Sequence, residues 1–223
     1  MKKIIEQYNN QLAKVYDQAT LGEFKWLAPD AVSKTLLPYL VKKTKILDLG
    51  AGTGQSSEEF YSRGHDILAI DISIEMLGFL RKKFPKIKAV KFDIEAGIEK
   101  LKIKPKTFGV IISVGLFEFI KDLKKLFIEI SKIIKTDGLF CFTFEKYIPG
   151  HYFQGVRSGP LGLGLVEEIP KLLSFKVYRR TESEVIELLE GLGFKILRSK
   201  NFIGYLKSEK KIPVYYGLIL AQN

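Results

Sequence analysis

From Lys45 to Glu145 the chain repeats one unit: a short apolar run of strand length, a turn, then a stretch with helical spacing. The runs are KILDLG, DILAID, IKAVKFD, TFGVIISVG and GLFCFTFE. Residues 55–63, Ile74 to Phe84 and Leu123 to Ile134 read as helices, with Ser73 as an N-cap and Pro85 helping to end the second. Strands joined by helical crossovers run parallel, and right-handed crossovers place helices on both faces of the sheet. An open α/β sheet is therefore expected, and all-β and helical-bundle architectures are excluded.

The flanks extend this frame. Ile4, Ile5, Tyr8, Leu12, Val15 and Tyr16 recur at helical spacing, and Pro29-Asp30 can open a second helix through Leu40. Residues 147 to about 173 break the rhythm with Gly, Pro and aromatics, as an insertion over the edge or mouth of the sheet does. Thr181 and Glu184 form a capping box that opens a helix from Glu182 to Leu192. Two β-rich segments, Phe194 to Leu206 and Ile212 to Ala221, meet at the charged turn Lys207 to Lys211 and read as an antiparallel hairpin.

Composition removes other classes. With 223 residues, 46% hydrophobic and 27% charged, the balance is that of a globular domain, not a disordered or fibrous chain. One cysteine cannot form an internal bridge, and one Cys with two His argues against a zinc site. No apolar run approaches the ~20 residues that span a bilayer, and MKKIIEQYNN lacks a signal-peptide core, so a cytoplasmic location is expected. The net charge of +11 raises a polyanion as partner. The lysines are scattered over element ends and outer helix faces, however, which favours a solvated surface over a nucleic-acid groove.

The informative loop is Asp48-Leu49-Gly50-Ala51-Gly52-Thr53-Gly54, between a strand and a helix. Glycines let backbone approach a ligand, and the following helix offers free amides. In the dinucleotide fingerprint the third glycine comes one residue later, and a carboxylate at Asp48 would repel a pyrophosphate but suit an ammonium. Asp71 ends the second strand about 20 residues on, where an acid accepts ribose hydroxyls. Asp93 ends the third and can accept from an exocyclic adenine amine. The ligand implied has a ribose, an adenine and an amino-acid-like head but no phosphate. S-adenosylmethionine fits.

At these residues the chain resembles the class I S-adenosylmethionine-dependent methyltransferases, in their small-molecule, ubiquinone- and menaquinone-biosynthesis-like branch. ILDLGAGTG looks like the first motif, AIDISIEML the second and FDIE the adenine-contacting turn; GVIISVGLFEFIKD and IIKTDGLFCFTF look like the fourth and fifth strands with their approaches. The resemblance implies a Rossmann-like sheet of seven strands with the last antiparallel, in a single domain over 1–223 with a helical lid at 1–43 and a cap at 147–177. It implies that Gly50, Gly52 and Gly54 cradle the methionine part, with Asp48 and the Ser113 carbonyl near its ammonium. Asp71 would hold the ribose, Ile72 and Met76 would flank the adenine, and Asp93 and Ile94 would read its edge. Tyr8, Tyr16 and Trp26 lie where relatives carry a lid.

Methyl transfer from a sulfonium is an in-line displacement, so alignment and water exclusion matter most. A base is needed only when the acceptor must lose a proton. Where relatives often carry histidines after the fourth strand, this chain has Glu118 and Phe119. Glu118 is either the substitute carboxylate or an acid at a helix start, and His151 is the other candidate, reaching in from the insertion. Cys141, inside an apolar run, reads as core. Tyr147, Tyr152, Phe153, Arg157, Tyr178, Arg179 and Arg180 either enclose a planar or anionic acceptor or pack the cap. The expected activity is methyl transfer to a small molecule. An RNA methyltransferase and a non-catalytic S-adenosylmethionine-binding partner protein are the alternatives.

Overall fold

A computed structural model describes residues 2–22, 25–40, 42–160, 176–207 and 211–223. The middle of the expected cap, 161–175, and the tip of the terminal turn, 208–210, lie outside the described residues, as do a few positions of the 1–43 segment.

The helices are α1 Lys2–Leu12, α2 Tyr16–Leu21, α3 Ala28–Leu36, α4 Glu58–Ser62, α5 Ile74–Lys83, α6 Leu123–Ile133 and α7 Glu182–Glu190. The strands are β1 Lys45–Leu49, β2 Asp66–Asp71, β3 Lys88–Lys91, β4 Phe108–Ser113, β5 Ile134–Glu145, β6 Ser158–Pro160, β7 Lys176–Tyr178, β8 Lys195–Lys207 and β9 Ile212–Gln222. Seven of them form one sheet in the order β3-β2-β1-β4-β5-β9-β8, and β6 pairs with β7 apart from it. β9 runs antiparallel to both its neighbours, β5 and β8, so the expected hairpin and the single reversed strand are both present. Sequence and structure differ at ends: β3 stops two residues before Asp93, and β5 starts at Ile134, upstream of Asp137-Gly138.

Period-two alternation builds two cores. Leu47 and Leu49 of β1, Ile111 of β4, Phe140 and Phe142 of β5 and Ile219 of β9 face α6 and α7. Ile46, Val110, Ile112, Cys141, Leu218 and Leu220 face the opposite side with Val32 and Leu36 of α3 and Leu77 and Leu80 of α5. Cys141 is fully buried there, and burial pushes its thiol far above the usual range. A third cluster joins Ile5, Tyr8, Leu12 and Ala13 to Met76, so the N-terminal helices rest on the start of α5. The helix α7 opens as the sequence predicts: the Thr181 side chain takes the Glu184 amide, and Glu184 reaches back to the Thr181 amide at 2.8 Å. No helix among the described residues is long and apolar enough to cross a membrane.

β1 and β4 are neighbours, but their connections leave in opposite directions across the sheet. At such a reversal the loops beyond the carboxyl ends part and leave a crevice.

Candidate active site

The loop after β1 turns through three glycines of positive φ, Gly50 at +73°, Gly52 at +52° and Gly54 at +91°. The Gly50 and Ala51 amides donate to the Ile70 carbonyl at 2.8 and 3.0 Å, which closes the turn onto β2. The Gly52 amide donates to Asp71 Oδ2 at 2.9 Å, and the Ser73 amide to Asp71 Oδ1 at 2.8 Å. A β-carbon on Gly52 would stand in open space, so bare backbone faces the cavity at this point. Burial pushes the Asp71 carboxyl up, while its amide donors oppose that shift. Asp93 caps the turn Ile94–Ala96 by accepting the Glu95 amide at 3.0 Å.

Side chains of α1 and α2, with Trp26, form the opposite wall. α1 is tied down through Ser73, whose hydroxyl donates to Asn10 Oδ1 at 2.6 Å, and through an ion pair between Glu6 and Lys91. α2 is tied down by Asp17, which accepts from Thr53 at 2.5 Å and Gln55 at 2.8 Å and pairs with Lys83 at 2.7 Å. Trp26 lies over Gly204 and Gly115: a β-carbon on either would stand 2.8 or 3.2 Å from the indole. Its ring meets Tyr216 edge-on at 4.8 Å and Tyr205 at 5.7 Å. Burial raises the Tyr8 hydroxyl to about 12 and those of Tyr16, Tyr205 and Tyr216 beyond that, so all four stay neutral donors.

Glu118, in the turn Phe117–Phe119 after β4, lines the same cavity and is only 3% exposed. The Tyr216 hydroxyl donates to Oε1 at 3.0 Å, and Oε2 has no hydrogen-bond partner. Burial first, then the Glu145 charge, pushes the carboxyl up to about 7. The folded value thus exceeds the unfolded one near 4.3, so the native state favours the protonated form. The cost of burying the charge is absent below about pH 4, grows as pH rises from there to about 7 and is constant above it. Glu118→Gln is accordingly expected to stabilise the fold by about 2–3 kcal/mol near pH 8 and to lose that gain near pH 4, read as denaturant midpoints at the two pH values.

Of the residues singled out from sequence, Gly50, Gly52, Asp71, Ile72, Met76, Asp93, Ile94 and Glu118 line this one cavity, together with Tyr8, Tyr16 and Trp26. Four others do not. Asp48 is buried beneath the loop, where Oδ2 takes the Ser56 and Ser57 hydroxyls at 2.6 Å each; burial lifts it to about 6, and Oδ1 has no hydrogen-bond partner. Gly54 is a packing glycine, because a β-carbon there would stand 3.0 Å from the Phe84 ring. Ser113 binds the Leu49 carbonyl at 2.9 Å, and Val114 and Gly115 take the wall in its place. His151 turns away: its Nδ1 accepts the Phe153 and Gln154 amides, and its ring rests on Tyr215.

The aromatics and arginines of the insertion also lie outside the cavity. Arg157 stacks on Tyr147, Arg179 pairs with Glu145, and Arg180 donates to the carbonyls of Phe117, Tyr178 and Ile120. They pack the cap. Sequence reasoning missed Tyr205 and Tyr216, which reach the cavity from the terminal hairpin. The signal was the reversed strand itself. Tyr216 pairs with Glu145 at the carboxyl end of β5, because an antiparallel strand brings its beginning to that edge.

Four acids line the cavity, Asp71, Asp93, Glu95 and Glu118, and among the described residues no Lys, Arg or His does. This donor set has nothing to balance a phosphate. With the glycine backbone and Asp71 it fits a phosphate-free adenosyl compound bearing a positive charge.

Residues 47–142 match the family model described as a methyltransferase domain. The ubiquinone biosynthesis O-methyltransferase of Pelagibacter ubique is 27% identical over 167 residues, covering 70% of this chain and 68% of the relative. A malonyl-[acyl-carrier protein] O-methyltransferase of Hamiltonella defensa is 31% identical over 46% of this chain, which spans only 38% of that relative. Among solved structures, an S-adenosylmethionine-dependent methyltransferase from Methanosarcina mazei superposes with a TM-score of 0.70, at 17% identity over 85% of this chain and 96% of that one; this likeness is one of fold. With its seven-stranded sheet and its glycine loop at the β1–β4 crevice, the chain is similar to S-adenosylmethionine-dependent methyltransferases and matches a methyltransferase domain over residues 47–142.

Proposed function

We propose that this chain transfers a methyl group from S-adenosylmethionine to a small organic acceptor held beside Glu118. The observation that supports this most is the cavity itself. It joins the bare backbone at Gly52, the acids Asp71 and Asp93, and an aromatic wall of Trp26, Tyr205 and Tyr216 in one space, with no basic group among the described residues. In this reading Gly50 and Gly52 lie against the methionine part, Asp71 accepts from the ribose hydroxyls, Ile72 and Met76 flank the adenine, and Asp93 with Ile94 meets its edge. The cofactor supplies a methyl group already activated on a sulfonium sulfur.

The protein's own part is to align and to exclude water. Alignment can contribute on the order of 7–11 kcal/mol. The N-terminal helices serve as the lid, since their ties at Ser73, Thr53 and Gln55 hold them over the glycine loop. A cavity roofed in this way suits a free small molecule better than an RNA strand. One relative's name, a ubiquinone biosynthesis O-methyltransferase, supports a small acceptor; the other names a malonyl group borne on an acyl-carrier protein. Calorimetry with S-adenosylhomocysteine and, separately, NAD tests the assignment. Binding of the first and not the second is the expected result. Failure of S-adenosylhomocysteine to bind the folded protein would falsify it.

A further inference from the structure

We infer that the acceptor is a nitrogen compound, neutral or cationic, that presents an N–H to the unpartnered Oε2 of Glu118 and carries no carboxylate or phosphate. This rests on the methyl-transfer reading above and narrows its substrate class.

The chain carries 36 Lys and Arg against 25 Asp and Glu, yet the described wall of its cavity holds acids alone. Arg180, whose charge acts on Glu118, has its guanidinium committed to the carbonyls of Phe117, Ile120 and Tyr178. An anionic acceptor would enter a space of like charge. Asp71 and Asp93 are assigned to the adenosyl group, so the encounter that counts is with ionised Glu118; at about 4 Å and an effective dielectric near 20 it costs roughly 4 kcal/mol. Carboxylates and phenolates, which attack as anions, are disfavoured on this ground. An amine or ring nitrogen attacks through a neutral lone pair and becomes positive as the bond forms.

The surroundings of Glu118 match that charge. Oε1 is held by the Tyr216 hydroxyl, which fixes the carboxyl plane and leaves Oε2 buried and free to accept. The rings of Trp26, Tyr205 and Tyr216 stand beside it, and aromatic faces attract a cation. The chemistry balances. From a cationic acceptor an N–H proton passes first to Glu118 Oε2, and the lone pair so freed bonds to the methyl carbon as the carbon–sulfur pair returns to sulfur; a neutral amine gives its proton to Oε2 as that bond forms, and in both cases carboxylate becomes carboxyl. A carboxyl group lifted towards 7 accepts such a proton more readily than an ordinary one.

The test uses the full chain saturated with S-adenosylhomocysteine and three near-isosteric probes: benzylamine, benzyl alcohol and benzoate. Calorimetry near pH 8 should give benzylamine at least a tenfold advantage over benzoate, with the alcohol between them. Glu118→Gln should shrink that advantage below threefold while the affinity for S-adenosylhomocysteine stays within twofold of wild type. Benzoate binding as tightly as benzylamine, no benzylamine binding to the loaded protein, or an undiminished preference in Glu118→Gln would each overturn the nitrogen assignment and leave methyl transfer standing. Absence of S-adenosylhomocysteine binding in the first step overturns the methyl-transfer reading, and this assignment with it.

Discussion

Asp71→Ala should weaken S-adenosylhomocysteine binding about a hundredfold. The carboxylate holds two amides at once, Gly52 at 2.9 Å and Ser73 at 2.8 Å, from the glycine loop and from the start of α5. It also lines the cavity as the proposed ribose partner. A hydrogen bond to a charged group contributes roughly 1.5–3 kcal/mol, and about 2.8 kcal/mol corresponds to a hundredfold in affinity. In the proposed arrangement, removing the carboxylate would abolish the ribose contact and free the loop assigned to the methionine part. Asp71→Asn keeps one acceptor oxygen and should fall between, near tenfold. Calorimetry on both variants gives the answer, and a change below threefold in Asp71→Ala would remove Asp71 from the binding machinery.

The second large effect is on stability. Arg179 and Glu145 form an ion pair in which both side chains are all but sealed from solvent. Arg179→Met leaves a buried carboxylate without its partner, a change that costs about 3–5 kcal/mol. For a chain of this size each kcal/mol moves the melting point by about 2–4 °C, so a drop of roughly 6–20 °C is expected. Adding Glu145→Gln should recover most of it, since the penalty belongs to the stranded charge and not to the missing arginine. The deficit should also shrink on acidification. Burial favours the protonated form of Glu145, so in the variant the cost is absent at low pH and appears as pH rises. Lys207, which also acts on Glu145, limits the loss. A single-variant loss under 1 kcal/mol would show that the pair contributes little.

The parts of this molecule that sequence disclosed are those governed by local rules. Strand and helix alternation, the Ser73 cap, the Thr181–Glu184 box and the reversed terminal strand each follow from a few neighbouring residues, and all are present. So is Asp71 at the end of the second strand; Asp93 stands two residues beyond the third, yet strand direction still sends both to one edge. What stayed hidden depended on which way a side chain turns. Asp48 and Asp71 look alike in sequence, yet one points beneath the loop to Ser56 and Ser57 and the other lines the cavity. Gly54 looks like Gly52, but Phe84 fills the space beside it. Two readings of the arginines, binding an anion or packing the cap, differed only in their partners, and carbonyls and Glu145 took them. Tyr205 and Tyr216 were hidden by distance, more than a hundred positions from the glycine loop.

That separation along the chain has a use. The residues proposed to hold the adenosyl group fall within 50–94, while Gly204, Tyr205 and Tyr216 arrive together on one hairpin. Because β9 enters the sheet from the mouth, exchanging this hairpin alone would replace a whole panel of the chamber as a cassette. Recombination upstream of Lys195 could then retune what is modified and leave undisturbed the means of modifying it.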